Sequence, residues 1–182
     1  SLFLISISMT ISIGGSIYIL WKISPELPSY DKIINYKPSL SSRIYSSDGM
    51  LLKSFYIQER IFIPVNRIPD QIKNAFISAE DKNFYKHFGI DIAAIFRATL
   101  TNIISYNSDK RVVGASTITQ QVVKNLLLSN EVSYKRKLKE ILLAIRIERI
   151  LSKDRILELY LNDIYLGYGS YGIGSASLNY FN

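Results

Sequence analysis

The sequence predicts a mainly α-helical domain, preceded by an apolar N-terminal span and a small β hairpin. Three observations carry this. Residues 1–21 hold none of the chain's 22 basic and 15 acidic residues. From Pro69 onward, apolar residues recur at helical spacing, punctuated by capping and stop residues. Between these regions, two β-rich runs flank the turn signal Ser47-Asp48-Gly49. At 182 residues and 48% hydrophobic content, the chain has material for one cored domain plus an appendage, and general disorder is excluded.

The first element is "SLFLISISMTISIGGSIYILW". About 20 uncharged, mostly apolar residues match the hydrocarbon thickness of a bilayer. Trp21 and Lys22 suit an interfacial anchor. Residues 1–22 therefore read as a retained transmembrane anchor. A cleaved signal peptide would need a small-residue cleavage site, and no clean one stands before Pro25. Lys22 alone would put the following chain in the cytoplasm. Because the chain starts at Ser1, that rule has only half its data.

Residues 23–45 contain Pro25, Pro28 and Pro38 among polar residues and read as a linker, leaving 46–182 as the domain. "RIYSSDGMLLKSFYIQERIFIPV" reads as a hairpin or small sheet. Ile72, Ala75, Phe76 and Ala79 mark a helix with Asp70 as its cap and Gly89 as its stop. "DIAAIFRATLTNII" is a second helix, capped by Asp91. "SYNSDKRVVGA" breaks the periodicity and reads as a mobile loop carrying Lys110 and Arg111. Thr117 and Gln120 have capping-box spacing, so a helix starts there. Further helical patterns cover 133–152 and 153–162, and the tail is rich in Gly and Tyr.

The formal charge of +7 suggests an anionic partner: nucleic acid, lipid head groups or phosphates. The absence of cysteine excludes disulfides and thiolate metal sites.

Four constellations could carry chemistry. In "AEDKNFYKHFG", Glu80 and Asp81 follow an apolar helix face and precede the only histidine, His87. A carboxylate beside apolar walls can act as an acid or base, though an exposed helix-end pair would look the same. "GASTITQQVVKN" offers Ser116, Thr117, Gln120, Gln121, Lys124 and Asn125 at a helix N-terminus, fit for sugar hydroxyls or an anion. A capping turn explains the same residues. In "YKRKLKEILLAIRIER", Arg136 and Lys137 stand near Glu140, as a diphosphate site or as helical salt bridges. Glu158 and Asn162 lie one turn apart on an apolar helix, where polar residues fix packing or buttress a site.

In this order the motifs mean more. E-D-x-x-F-x-x-H-x-G from Glu80, G-x-S-T-I-T-Q-Q from Gly114, R-K-x-x-E from Arg136, K-x-x-I-L-E-x-Y-L-N from Lys153 and G-x-G-x-Y-G from Gly167 span about 100 residues. The series resembles the peptidoglycan glycosyltransferases, glycosyltransferase family 51. This is the membrane-proximal domain of class A penicillin-binding proteins and of monofunctional transglycosylases. The resemblance implies a lysozyme-like, two-lobed helical domain whose cleft opens near the membrane, on the periplasmic or exterior side of the bacterial cytoplasmic membrane. It implies polymerisation of lipid II into β-1,4-linked glycan with release of undecaprenyl diphosphate.

By motif position, Glu80 matches the general base and Glu140 the second glutamate, at the leaving diphosphate. Asp81 would orient the site, and Lys124, Arg136 and Lys137 match the cations around the diphosphate. Ser116, Thr117, Gln120, Gln121 and Asn125 would help hold the donor strand. The resemblance allows a divalent cation, Mg2+ or Mn2+, near Glu140 and implies no organic cofactor. Lipid II, the growing strand and the membrane are the implied partners, and nucleic acid is not. The family continues past "LNYFN", so the chain reads as truncated there, and it contains no transpeptidase domain. Ser29 to Lys32 fits S-x-x-K, but without a K-T-G partner it is read as chance.

Two other classes stay open on the residues alone. A lysozyme-like hydrolase would need neither anchor nor diphosphate site. A membrane-tethered basic binding module would not depend on Glu80.

Overall fold

The computed structural model describes Tyr18 and residues 22–29, 31–34, 36, 42–55, 59–106, 113–129 and 131–181. Nearly all of the expected membrane span, and Lys110 and Arg111, lie outside these. Among the described residues, no helix is long and apolar enough to cross a membrane.

The domain is mainly helical. A single helical turn, α1 (Asp31–Ile34), precedes a hairpin of β1 (Ser42–Tyr45) and β2 (Leu51–Phe55), paired antiparallel around the expected turn. Gly49 there has φ 84°, which glycine adopts without strain. The short strand β3 (Glu59–Arg60) pairs in parallel with β4 (Ser170–Tyr171), joining early and late parts of the chain. The helices are α2 (Asp70–Glu80), α3 (Ile92–Ile104), α4 (Ile118–Leu127), α5 (Tyr134–Glu148), α6 (Lys153–Asp163) and α7 (Gly172–Phe181).

Their starts follow local chemistry. Asp91 accepts from the Ala94 N–H, Ser133 from Arg136 and Ser152 from Arg155, each satisfying an orphan donor of a first turn. Thr117 and Gln120 form the expected capping box. The Asp70 cap is corrected: Pro69 holds the N-cap position and Asp70 is the first helical residue. There its charge suits the helix dipole instead.

α6 is the central helix, with every residue from Ile156 to Asp163 buried. Ile118, Val122 and Val123 of α4 pack with it, as do Leu143, Ala144 and Ile147 of α5. Glu158 and Asn162 are buried here because they bind the backbone of the segment at 63–65. Asn162 accepts from the Ile63 N–H at 2.7 Å and donates to the Ile63 carbonyl at 2.9 Å. Glu158 accepts from the Val65 N–H at 2.8 Å and pairs with Arg155.

Part of the proline-rich stretch is folded against the helices. Ile33 is completely buried in the core, a contribution of about 1.5–3 kcal/mol for such a side chain. Ser24 accepts from Arg146 at 2.7 Å, and Glu26 pairs with Lys135 and Lys139 of α5. The Tyr36 hydroxyl accepts from Arg60, which also pairs with Asp163. The Gly/Tyr-rich tail forms α7.

α3 is exposed along nearly its whole surface, polar and apolar residues alike. Only Ala98 is buried, while Ile92, Ile95, Phe96, Leu100, Ile103 and Ile104 are exposed, Phe96 to 67%. A contiguous apolar face of this kind marks a contact surface.

Candidate active site

Two acidic neighbours part ways at the end of α2. Glu80, the last helical residue, is exposed, and its Oε2 accepts from Nε2 of Gln121 at 2.8 Å. Asp81 leaves the helix with φ −156° and turns inward. Both its oxygens lie 2.9 Å from Nε2 of His87, and Oδ2 accepts from the Ile118 N–H at 3.0 Å. Asp81 therefore ties the end of α2 to the start of α4, and His87 holds it there. That is how the Glu80 carboxylate on one helix and the Gln121 amide on another come within reach.

Gly89 tightens the same junction. Its φ is 90°, and a Cβ there would stand 2.7 Å from the Ala144 carbonyl carbon. Its own carbonyl accepts from the Thr117 hydroxyl at 2.6 Å. Thr117 also accepts from the Gln120 N–H, while Oε1 of Gln120 accepts from the Thr117 N–H at 2.9 Å. Both are buried, Gln120 to 1% exposure. Within "STITQQ", Thr117 and Gln120 thus build the helix start, whereas Gln121 reaches the carboxylate.

An open cavity of about 290 Å³ lies beside Glu80, lined also by Asp81, Arg97, Thr101, Gly114, Ser116 and Thr117. Asp91 borders it. Burial pushes its carboxyl up, but the Ala94 N–H and the Asn83 amide outweigh this and hold it below the usual carboxylate range.

On the α5 side, Lys137 donates to Ser116 at 2.9 Å and also pairs with Glu140, which is 2% exposed. Glu140 thus holds the ammonium against the loop that feeds α4. Arg136 is half-buried with no partner for its Nε among the described residues. It lines a second cavity, of about 270 Å³, with Glu26, Lys135 and Lys139. Lys124 is half-buried and Asn125 exposed on the last turns of α4. The structure therefore brings together Glu80 with Gln121, and Ser116 with Lys137 and Glu140. Among the described residues, Lys124, Asn125 and Arg136 make no side-chain hydrogen bond or ion pair to either group.

Among the described residues, no group of three or more His, Cys, Asp or Glu side chains could hold a metal ion. Glu140 offers one carboxylate, already paired with an ammonium. This donor set does not fit a cation held by the protein alone.

Sequence reasoning passed over Tyr160 and Arg97. Tyr160 lies inside the K-x-x-I-L-E-x-Y-L-N motif, where it reads as one more apolar core position. Arg97 stood in a helix taken only for its periodicity.

A family model described as Transglycosylase matches residues 48–182. Penicillin-binding protein 1A of Rickettsia bellii (strain RML369-C) is 48% identical over 179 residues, covering 98% of this chain and 23% of that protein. The protein of the same name from Rickettsia prowazekii (strain Madrid E) is 49% identical over 177 residues, 96% of this chain and 22% of that one. That of Neisseria gonorrhoeae is 48% identical over 158 residues, 87% and 19% respectively. The chain spans less than a quarter of the length of these curated relatives. With the ordered motifs, the helical scaffold they occupy and a family match over most of its length, the chain belongs to the Transglycosylase family.

Proposed function

We propose that the chain is a peptidoglycan glycosyltransferase domain of cell-wall synthesis, with a lysozyme-like, two-lobed cleft, which polymerises lipid II. The observation that carries the reading is Glu80. It is an exposed carboxylate held by one amide donor and lining an open cavity, and Ser116 of the same lining accepts from Lys137 of α5.

Glu80 takes the proton from the 4-hydroxyl of the acceptor. The oxygen bonds to C1 of the donor sugar, and the C1–oxygen bond to the lipid diphosphate breaks with inversion. The departing diphosphate carries the charge away. Lys137, Lys124 and Arg136 meet that charge, and fixed cations stabilise it more than mobile solvent would. Ser116, Gln121 and Asn125 are the remaining polar groups able to reach sugar or phosphate. Asp81, Thr117 and Gln120 serve by holding the α2–α4 junction. Glu140 orients Lys137. No step is assigned to a divalent cation.

Residues 1–22 anchor the chain to the bacterial cytoplasmic membrane, with the domain on its exterior face. The exposed apolar face of α3 turns toward the lipid, which brings the cavity beside Glu80 and Arg97 close to a lipid-linked substrate.

The test is to incubate the purified chain with lipid II, with and without a divalent cation, and to look for glycan polymer by gel. Polymer from the parent and none from Glu80→Gln is expected. Cleavage of existing glycan instead would favour a hydrolase, and neither activity would favour a binding module.

A further inference from the structure

Tyr160 lies in the C-terminal half of α6 with 1% of its surface exposed, and its hydroxyl has no hydrogen-bond partner among the described residues. Buried hydroxyls are nearly always paired, so an orphan one asks for a reason. The position of the ring supplies it. Tyr160 meets Phe76 edge-on, with centroids 6.1 Å apart and planes at 77°. Phe76 precedes Glu80 by four residues on α2, so the two share a helix face. Tyr160 therefore sits beneath the last turn of α2, the turn that ends in Glu80. Burial first, and then the negative charge of Glu80, push its phenol above the ordinary tyrosine range. The phenol stays protonated at working pH, so it can only donate to an anion. Glu80 is exposed and held by a single amide donor, whereas Tyr160 is buried in the core.

We infer that Tyr160 is a positioning residue for Glu80, its hydroxyl donating to the ionised carboxylate when that side chain turns inward. With Gln121 this makes two donors on two different helices, α4 and α6. Two donors fix the plane of a carboxylate, where one leaves it free to swing. The remaining lone pairs then face the cavity.

The inference rests on Glu80 as general base, and the other groups around it are accounted for. Asp81 is committed to His87 and the Ile118 N–H. Lys82 follows on the same chain segment, and Asp91 and Arg97 face the cavity from the α3 side. None of them is altered by removing one phenolic oxygen.

The experiment uses the purified chain in detergent, with glutamate labelled at its carboxyl carbon by carbon-13 and Glu80 assigned through Glu80→Gln. Tyr160→Phe is nearly isosteric, and circular dichroism confirms its fold. At one fixed pH the Glu80 carboxyl resonance is expected to move in Tyr160→Phe, while that of Glu26, on a different part of the surface, stays put. In lipid II polymerisation the acid limb of the rate profile is expected to move up by about one pH unit. At neutral pH kcat should fall about tenfold with KM unchanged. A merely structural tyrosine would lower thermal stability and leave both readouts where they were. An unmoved Glu80 resonance overturns the inference whatever the rate does. A moved resonance in a parent that makes no polymer upholds the contact and counts against the proposed function alone.

Discussion

Nε2 of Gln121 donates to Oε2 of Glu80 at 2.8 Å, joining the first turns of α4 to the last residue of α2. The amide leaves the second carboxylate oxygen free to receive a proton. Gln121→Ala is expected to lower polymerisation about tenfold, since a neutral donor to a charged group is worth about 1.5 kcal/mol or more. Melting temperature should hardly change, because the pair is at the surface. Parallel rate and thermal-unfolding measurements check this, and a large loss of stability with no loss of rate would contradict it.

Glu80→Gln keeps the shape and removes the carboxylate proposed as the base. Polymerisation should fall at least 100-fold with an unaltered circular dichroism spectrum, because general-base catalysis contributes about 10²–10⁴. A variant retaining most of the parent's activity would show that another group takes the proton.

Asp81→Ala should act on the fold first. It would leave a buried N–H at Ile118 and His87 without partners. The expected cost is about 3 kcal/mol, seen as a melting temperature lower by roughly 6–12 °C. Scanning calorimetry decides it. Unchanged stability would mean that the α2–α4 junction does not depend on this carboxylate.

Lys124→Ala and Arg136→Ala should weaken the donor more than the acceptor, each contact to the diphosphate being worth about 1.5–3 kcal/mol. Binding of a lipid-diphosphate sugar analogue should fall about tenfold or more. Binding of a lipid-free sugar should not change, since it offers those cations no phosphate. Equal losses for both ligands would count against the assignment.

The Glu26 clamp predicts a pH and salt dependence confined to one segment. Hydrogen bonds from Lys135 and then Lys139 lower its carboxyl from 4.5 to about 2. A lowered value means that the contact contributes fully above 4.5 and is lost as pH falls toward about 2. The pair is exposed, so salt screens it. Protection of residues 23–29 against hydrogen exchange, taken relative to the intrinsic amide rate at each pH, should therefore change little between pH 7 and 5, then fall under strong acid or high salt. In Glu26→Gln protection should be weak throughout. Exchange indifferent to that substitution would show that Ile23, Ser24 and Arg146 hold the segment without it.

Much of the helical scaffold was legible because it is built from local signals. Asp91 and the pair Thr117 and Gln120 announce helix starts through side chains that bind their own first turns, which needs no knowledge of the rest of the fold. The burial of Gln120 was not legible, since an amide looks equally fit for a ligand until its partner is known. α7 was hidden for the opposite reason. Gly172 and Gly174 are poor helix formers, and they stand there because Cβ atoms would collide with the Asn162 and Ile61 backbones. Packing overrode propensity. The seats of Ile33 and of Tyr160 beneath Glu80 depend on contacts between distant parts of the chain, and periodicity is blind to those.

Glu158 and Asn162 reach the chain at 63–65 through its peptide groups alone. A helix here does the work of a neighbouring strand, lending side chains where a sheet would lend its edge. Such a grip reads the chain without reading its letters. Ile63 and Val65 can be exchanged for other residues of similar bulk at no cost to these bonds, while neither Glu158 nor Asn162 has an apolar substitute. Tolerance to change across this contact is therefore lopsided. The side at 63–65 can drift, and the helix side is fixed.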